Sequence, residues 1–269
     1  MKLYLYGIID SSDQTKESIY GLEGSDVYNI PFCDIGAVVS QISQPIQDVT
    51  EGAVLKHEAV VEKLMANFTV LPARFGTIID GTDSQLSMIQ SYYKDFTNNL
   101  ARLHNKLEFG IKVIWPADKI KENIVKGLKK GKENTPELNS SRGRKFMTET
   151  FDKYKIDKAF EAKADRVIKV MDMFFSKFSA EKTLATLKTE NLLLDAVYLV
   201  EKDKQDDFRE AFEHIKGGHP ELKYLFSGPW PAYNFVILSK QPGLLMDSQQ
   251  TDLLDKVTQD QMLVGANSI

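Results

Sequence analysis

Residues 70–77 read VLPARFGT. The run is mostly apolar, as a buried strand is, yet it carries a proline and an arginine. Proline donates no hydrogen bond to a sheet ladder, so Pro72 belongs at an edge, a strand start or a bulge. Gly76 permits a tight exit from the strand. Arg74 is a permanent cation between apolar neighbours, and such a group needs a carboxylate or several carbonyls around it. The helical pattern just upstream, at 51–68, offers a carboxylate. Its apolar face is Val54, Val61, Leu64, Met65 and Phe68, and Glu58 falls on that same side. This spacing predicts an internal Glu58–Arg74 ion pair, with Glu62 one turn on as a second acceptor. The alternative is an Arg74 that reaches solvent over a buried stem. If the pair is buried, Arg74→Ala costs roughly 3–5 kcal/mol.

On the N-terminal side, LYLYGII (3–9) reads as a strand, with Leu3 and Leu5 facing one way and Tyr4 and Tyr6 the other. Residues 10–24 are polar and glycine-bearing, a loop. Residues 27–31 and 35–42 form a hairpin around Phe32-Cys33-Asp34. Thr50 is the expected N-cap of the 51–68 helix. Beyond the arginine strand, Thr82 and Gln85 make a capping box. The helix it opens carries Leu86, Ile89, Tyr93, Phe96, Leu100 and Leu103 on one face. FGIKVIW (109–115) is a strand stopped by Pro116. The expectation is an α+β domain over 1–116, a mixed sheet with packed helices.

Residues 117–145 are rich in lysine and broken by Gly127, Gly131, Pro136 and Gly143, the pattern of a short helix and an interdomain connector. Over 146–178 the stripe Phe160, Ala164, Val167, Ile168, Met171, Phe174, Phe175 and Phe178 marks a long helix. A strand at 192–200, a helix capped by Asp203 and strands at 222–227 and 233–238 follow. Domain 146–241 is thus expected to be a modified ferredoxin-like sandwich, one element short or rearranged. Residues 242–269 form a tail, with a short amphipathic helix through Leu253, Leu254 and Val257. The connection GPWP (228–231) stiffens Trp230 with two prolines. That tryptophan is either presented for docking or folded inward, and Tyr233 and Phe235 should share a face opposite Asn234 and Val236.

Composition narrows the function classes. A chain of 269 residues at net charge -4 argues against a dedicated nucleic-acid binder, though it leaves room for local basic patches. Its single cysteine, Cys33, allows no internal disulfide and fits a reducing cytosol. No apolar run approaches about 18 residues, so no membrane span is expected. The four histidines share no metal-ligand spacing, and no phosphate-cradling glycine loop or nucleophile elbow occurs. No cofactor, no metal and no enzymatic activity are expected.

VLPARFGT (70–77) and GPWPAYNFV (228–236) together resemble the two hallmark segments of the gas-vesicle accessory proteins of the GvpF/GvpL type. LYLYGI (3–8), HEAVV (57–61), FGIKVIW (109–115) and AVYLV (196–200) also resemble that family, in the same order. The resemblance implies two α+β domains, the C-terminal one ferredoxin-like. It implies a minor structural component and assembly factor of the gas vesicle, cytoplasmic during assembly. Such a protein binds the apolar shell protein GvpA, keeps it from aggregating during nucleation, and associates with other accessory proteins.

The candidate partner surfaces are the sheet side of Tyr4 and Tyr6, the stripe at Phe174 and Phe178, and the tail at Leu253 and Leu254, with capture expected on the N-terminal domain. Glu58, Pro72, Arg74, Phe75, Gly76, Gly228, Pro229, Trp230, Pro231 and Tyr233 are expected to be structural. Two rival classes remain open: a ferredoxin-like sheet that stacks RNA bases on exposed aromatics, and a small-molecule-binding protein or enzyme.

Overall fold

The computed structural model describes residues 2–15, 18–44, 49–130, 142–185 and 189–239. The chain forms two compact units, Met1–Glu108 with the returning segment from Pro229, and Phe109–Gly228. The sequence reading sets its boundaries elsewhere, after 116 and after 241. Residues 109–115 carry no local mark of which sheet they join, and their strand partners lie far downstream.

The first unit is built on β1 (Lys2–Ile9), an eight-residue strand buried along nearly its whole length. One edge pairs with β3 (Ile35–Ile42), which in turn pairs with β2 (Val27–Phe32), both antiparallel. The β2–β3 hairpin turns at Cys33, whose φ is +54°. The other edge of β1 is shared by two short strands. β4 (Val70–Pro72) pairs with Gly7–Ile9, and β5 (Ile78–Asp80) pairs with Lys2–Tyr4. The VLPARFGT stretch is therefore not one strand. It makes a single antiparallel pass along β1, interrupted by a turn at residues 74–77 in which the Thr77 N–H donates to the Arg74 carbonyl at 3.1 Å. Gly76, at φ +82°, supplies the left-handed step that turn needs.

The free edge of β2 is closed by side chains. Gln14 donates to the Asn29 carbonyl and accepts from the Asn29 N–H, at 2.7 and 3.1 Å, as a neighbouring strand would.

α1 (Glu51–Met65) starts at Thr50, whose hydroxyl accepts from the Ala53 N–H. Its buried stripe is Val54, His57, Val60, Val61 and Leu64, of which Val60, Val61 and Leu64 share one core cluster with Tyr4 and Tyr6. The stripe centres on His57, and Glu58 lies half-buried at its border. α2 (Gly81–Leu103) packs against β1, β2, β4 and β5 through Ile89, Phe96, Leu100 and Leu103. It begins before the expected capping box, with Asp80 at its N-cap, and Leu86 is exposed rather than part of the stripe.

The second unit runs β6 (Lys106–Ile114), α3 (Ala117–Lys130), α4 (Arg142–Phe175), β7 (Ser179–Leu184), β8 (Leu192–Glu201), α5 (Gln205–Gly218) and β9 (Lys223–Trp230). Its sheet has the order β7-β8-β6-β9. Phe109, Phe175, Tyr198 and Phe208 are fully buried at its centre, with ring centroids of neighbouring pairs 5.3–5.8 Å apart. Trp115 stacks near Phe160 at 4.7 Å and donates from Nε1 to the Glu190 carbonyl at 2.7 Å.

β7 is the element missing from the sequence reading. Its six residues, SAEKTL, are largely exposed at a sheet edge, so they carry no apolar alternation. α5 starts with Lys204 at its N-cap; Asp203 sits in a preceding 3-10 turn.

The strand expected at 233–238 does not form. Tyr233–Phe235 is a 3-10 turn, and Tyr233 and Phe235 are both buried. What replaces a ladder is a set of side chains from the first unit. Asn99 bonds both the N–H and the carbonyl of Ile237, at 3.0 and 2.6 Å. Glu108 accepts from the Asn234 N–H and side-chain amide at 2.8 and 2.6 Å. Asp95 accepts from the Ser239 N–H and hydroxyl. The Arg102 guanidinium donates to the Phe235 carbonyl. A backbone satisfied this way needs no strand neighbour.

Candidate interaction site

Both signature segments meet at α1. From β1, the Tyr4 hydroxyl contacts His57 Nδ1 at 2.9 Å and accepts from the Gly76 N–H at 3.0 Å. A hydroxyl carries one proton and two lone pairs, so the Tyr4–His57 contact is compatible with either neutral imidazole tautomer. Burial pushes the His57 pKa down to about 4, against the weaker pull of the Ala73 backbone. His57 Nε2 has no hydrogen-bond partner. The Tyr6 hydroxyl accepts from the Leu22 N–H at 2.8 Å and shares a 3.0 Å bond with Ser40. The His57 ring stacks on Tyr6 at 5.6 Å, and Phe75 sits edge-on to both Tyr4 and His57.

One residue further along α1, Glu58 Oε1 accepts from the Tyr233 hydroxyl at 2.8 Å. Burial raises the Glu58 pKa to about 7; the Tyr233 bond opposes this and the Glu62 charge adds to it. Tyr233 itself is pushed well above the ordinary tyrosine value, first by burial and then by Glu58.

These contacts correct two expectations. Glu58 is taken by Tyr233, and among the described residues no ion pair joins it to Arg74. Arg74 is half-buried in the turn, and its Nε is buried without a hydrogen-bond partner. Periodicity placed Glu58 beside the arginine strand but could not show that a residue 175 positions away would reach it first. Second, Tyr4 and Tyr6 do not lie on a free sheet face. Both are fully buried under α1.

Among the remaining named residues, Pro72 pairs across from Gly7, and Pro231 accepts from the Tyr233 N–H at 2.7 Å. Trp230 is half-buried at the end of β9, neither fully presented nor plugging the sheet. Gly228 adopts φ +107°, open to glycine alone without strain, and Pro229 follows it within β9. Phe174 and Phe178 are half-buried, and Phe174 stacks on His214 at 5.6 Å. Leu253, Leu254 and the rest of the 242–269 tail lie outside the described residues.

The long helix exposes a different set, which sequence reading passed over. On α4, Phe146, Met147, Phe151 and Tyr154 are 70, 73, 57 and 57% exposed. The signal was available: Met147, Phe151 and Tyr154 repeat at i, i+4 and i+7, a second stripe offset from that of Phe160.

Among the described residues, no group of three or more His, Cys, Asp or Glu side chains could hold a metal ion. No helix there is long and apolar enough to cross a membrane. The fold and the cluster define a two-unit α+β scaffold whose signature residues bind one another. A sequence model of the gas vesicle synthesis protein GvpL/GvpF family matches residues 2–237, and the chain belongs to that family.

Gas vesicle protein F2 of Halobacterium salinarum is 25% identical over 238 residues, covering 87% of this chain and 91% of the relative. Gas vesicle protein F of Dolichospermum flosaquae is 26% identical, covering 79% and 88%. The crystal structure of GvpF from Anabaena sp. PCC7120 superposes with a TM-score of 0.77 at 20% identity, covering 89% of this chain and 99% of that one. That likeness shows a shared fold. Family membership gives the chain a role in gas vesicle assembly.

Proposed function

We propose that this chain is a non-enzymatic gas vesicle assembly factor that holds the apolar shell protein GvpA and limits its aggregation while the vesicle nucleates. It works alongside other accessory proteins, in the cytoplasm during assembly and at the vesicle afterwards. The family match over 2–237 carries the reading. It is supported by a scaffold whose signature tyrosines, histidine and glutamate are bonded to one another, as a rigid holder requires, rather than arranged around a substrate. The second unit's order β-α-α-β-β-α-β, with its sheet order β7-β8-β6-β9, fits a ferredoxin-like module carrying one extra helix in its first crossover.

The test is co-expression with GvpA, measuring how much GvpA stays in the supernatant after high-speed centrifugation and how much co-purifies with a tagged chain. The reading expects both to rise well above a control without the chain. Unchanged solubility with no co-purification overturns it.

A further inference from the structure

The 74–77 turn holds a cation that its own chain leaves without a counter-charge. Arg74 is half-buried, and among the described residues no carboxylate pairs with it and no acceptor meets its Nε. Of its three guanidinium nitrogens, only Nε is buried without a partner. The terminal two bond no described group either, so they stand at the surface. The charge cannot be shed, because arginine keeps its proton at any pH a folded protein survives. The acids on the flanking elements point elsewhere. Glu58 receives Tyr233 at 2.8 Å, Asp80 faces Lys2 at 3.6 Å, and Glu62 is exposed on α1.

The turn fixes where this cation sits. The Ala73 N–H donates to the Tyr6 carbonyl at 2.9 Å, and the Gly76 N–H donates to the Tyr4 hydroxyl at 3.0 Å. The Thr77 N–H and hydroxyl both donate to the Arg74 carbonyl, at 3.1 and 2.7 Å. The backbone on either side of Arg74 is thus tied to β1, which cuts the ordering cost of docking. The same bonds decide the ligand class. A phosphate cradle needs several backbone N–H groups converging on one anion, and those of residues 73, 76 and 77 are already spent. What remains is one planar fork, which a carboxylate matches with two parallel hydrogen bonds. A second orphan adjoins the same step of chain: His57, 1% exposed and under the pull of the Ala73 backbone, leaves Nε2 unbonded. Buried nitrogens without partners are uncommon, and two beside one peptide mark a place shaped for more than its own stability. Half-buried Phe75 follows Arg74 directly, so a protein surface that meets the charge also meets a ring.

We propose that Arg74 is the receptor for a side-chain carboxylate of a partner protein, gripped through the two terminal guanidinium nitrogens at the 74–77 turn. The carboxylate supplies the counter-charge that this chain withholds. This rests on the holding role proposed above and makes the shell protein the first partner to try.

The experiment measures GvpA co-purification with the full chain, with R74M and, as a control for overall charge, with K94M, each checked by its melting temperature. Lys94 is exposed on α2. R74M keeps the stem and removes the fork. Retained GvpA should fall about tenfold or more, as when an anchoring arginine is truncated, with a melting temperature near the parent's. K94M should retain GvpA like the parent. In a second arm the acidic residues of GvpA are neutralised one at a time, aspartate to asparagine and glutamate to glutamine. One of these changes should reproduce the R74M loss and add little when combined with it, the mark of two groups that meet. Full retention by R74M overturns the receptor while leaving the holding role standing. Equal loss in K94M reduces the effect to net charge and overturns it as well. A melting temperature far below the parent's in R74M places the counter-charge within this chain and overturns the external ligand. Full retention of every neutralised GvpA overturns the carboxylate. A parent that retains no GvpA overturns the holding role and this proposal with it.

Discussion

Tyr233 and Glu58 lie 175 positions apart and share a 2.8 Å hydrogen bond. The bond ties the returning C-terminal segment to α1, while Asp95, Asn99 and Arg102 of α2 and Glu108 of β6 hold its backbone. Tyr233→Phe keeps the ring and removes the donor, leaving a half-buried carboxyl with one partner fewer. We expect a loss of about 1–2 kcal/mol, read as a lower urea midpoint at unchanged slope. A midpoint equal to the parent's would mean that water replaces the tyrosine at no cost.

Arg74 gives the opposite expectation from the one its sequence setting suggests. An internal pair would make its removal cost several kcal/mol, but Glu58 is held by Tyr233, and the Arg74 Nε is buried without a partner. Arg74→Met keeps the apolar stem and deletes the unsatisfied donor. It should change stability by no more than about 1 kcal/mol in either direction. A loss near that of a broken buried pair would show that the guanidinium has a partner in solution.

Local chemistry made much of this molecule legible in advance. The Thr50 cap, the β2–β3 hairpin at Cys33 and the α5 stripe through Phe208 and Ile215 each follow from neighbours within a few residues. What escaped was set by distant partners. β7 is polar because only one of its edges is paired. Residues 233–238 alternate like a strand, yet their hydrogen bonds go to side chains of α2 and β6. Tyr4 and Tyr6 look like one exposed face of a sheet because nothing in their own strand reveals that α1 covers it. A period shows which residues share a face, and not whether that face is covered.

Gly36 tests how firmly the β2 edge is closed. A Cβ there would stand 2.0–2.5 Å from the Asn29 amide. That amide cannot swing away cheaply, because its Nδ2 donates to the carbonyls of Ser11 and Asp13 at 3.0 and 2.9 Å. Gly36→Ala should therefore cost about 1–3 kcal/mol, the range for overpacking a well-filled site. Thermal melts of the single variant would show it, and a melt like the parent's would mean that the 10–15 loop yields freely.

His57 and Glu58 are neighbours on α1 with opposite pH signatures. Burial lowers the His57 pKa from its ordinary 6.5 to about 4. Between those values the unfolded chain binds more protons than the folded one, so this group's contribution is lost as pH falls. Burial raises the Glu58 pKa from 4.5 to about 7, with Glu62, Tyr4 and Tyr233 as its ionisable neighbours. In that window the folded chain binds more protons, so stability falls as pH rises, and the cost is complete only above pH 7. The two slopes oppose each other between pH 4.5 and 6.5 and separate outside it. Glu58→Gln removes the titrating carboxyl and keeps an acceptor for Tyr233. It should stabilise the protein by about 1–2 kcal/mol at pH 8 and leave it near the parent at pH 4.5. Melting temperatures of the two proteins across pH 4–9 decide the matter. Parallel curves would show that Glu58 titrates as an ordinary surface carboxylate.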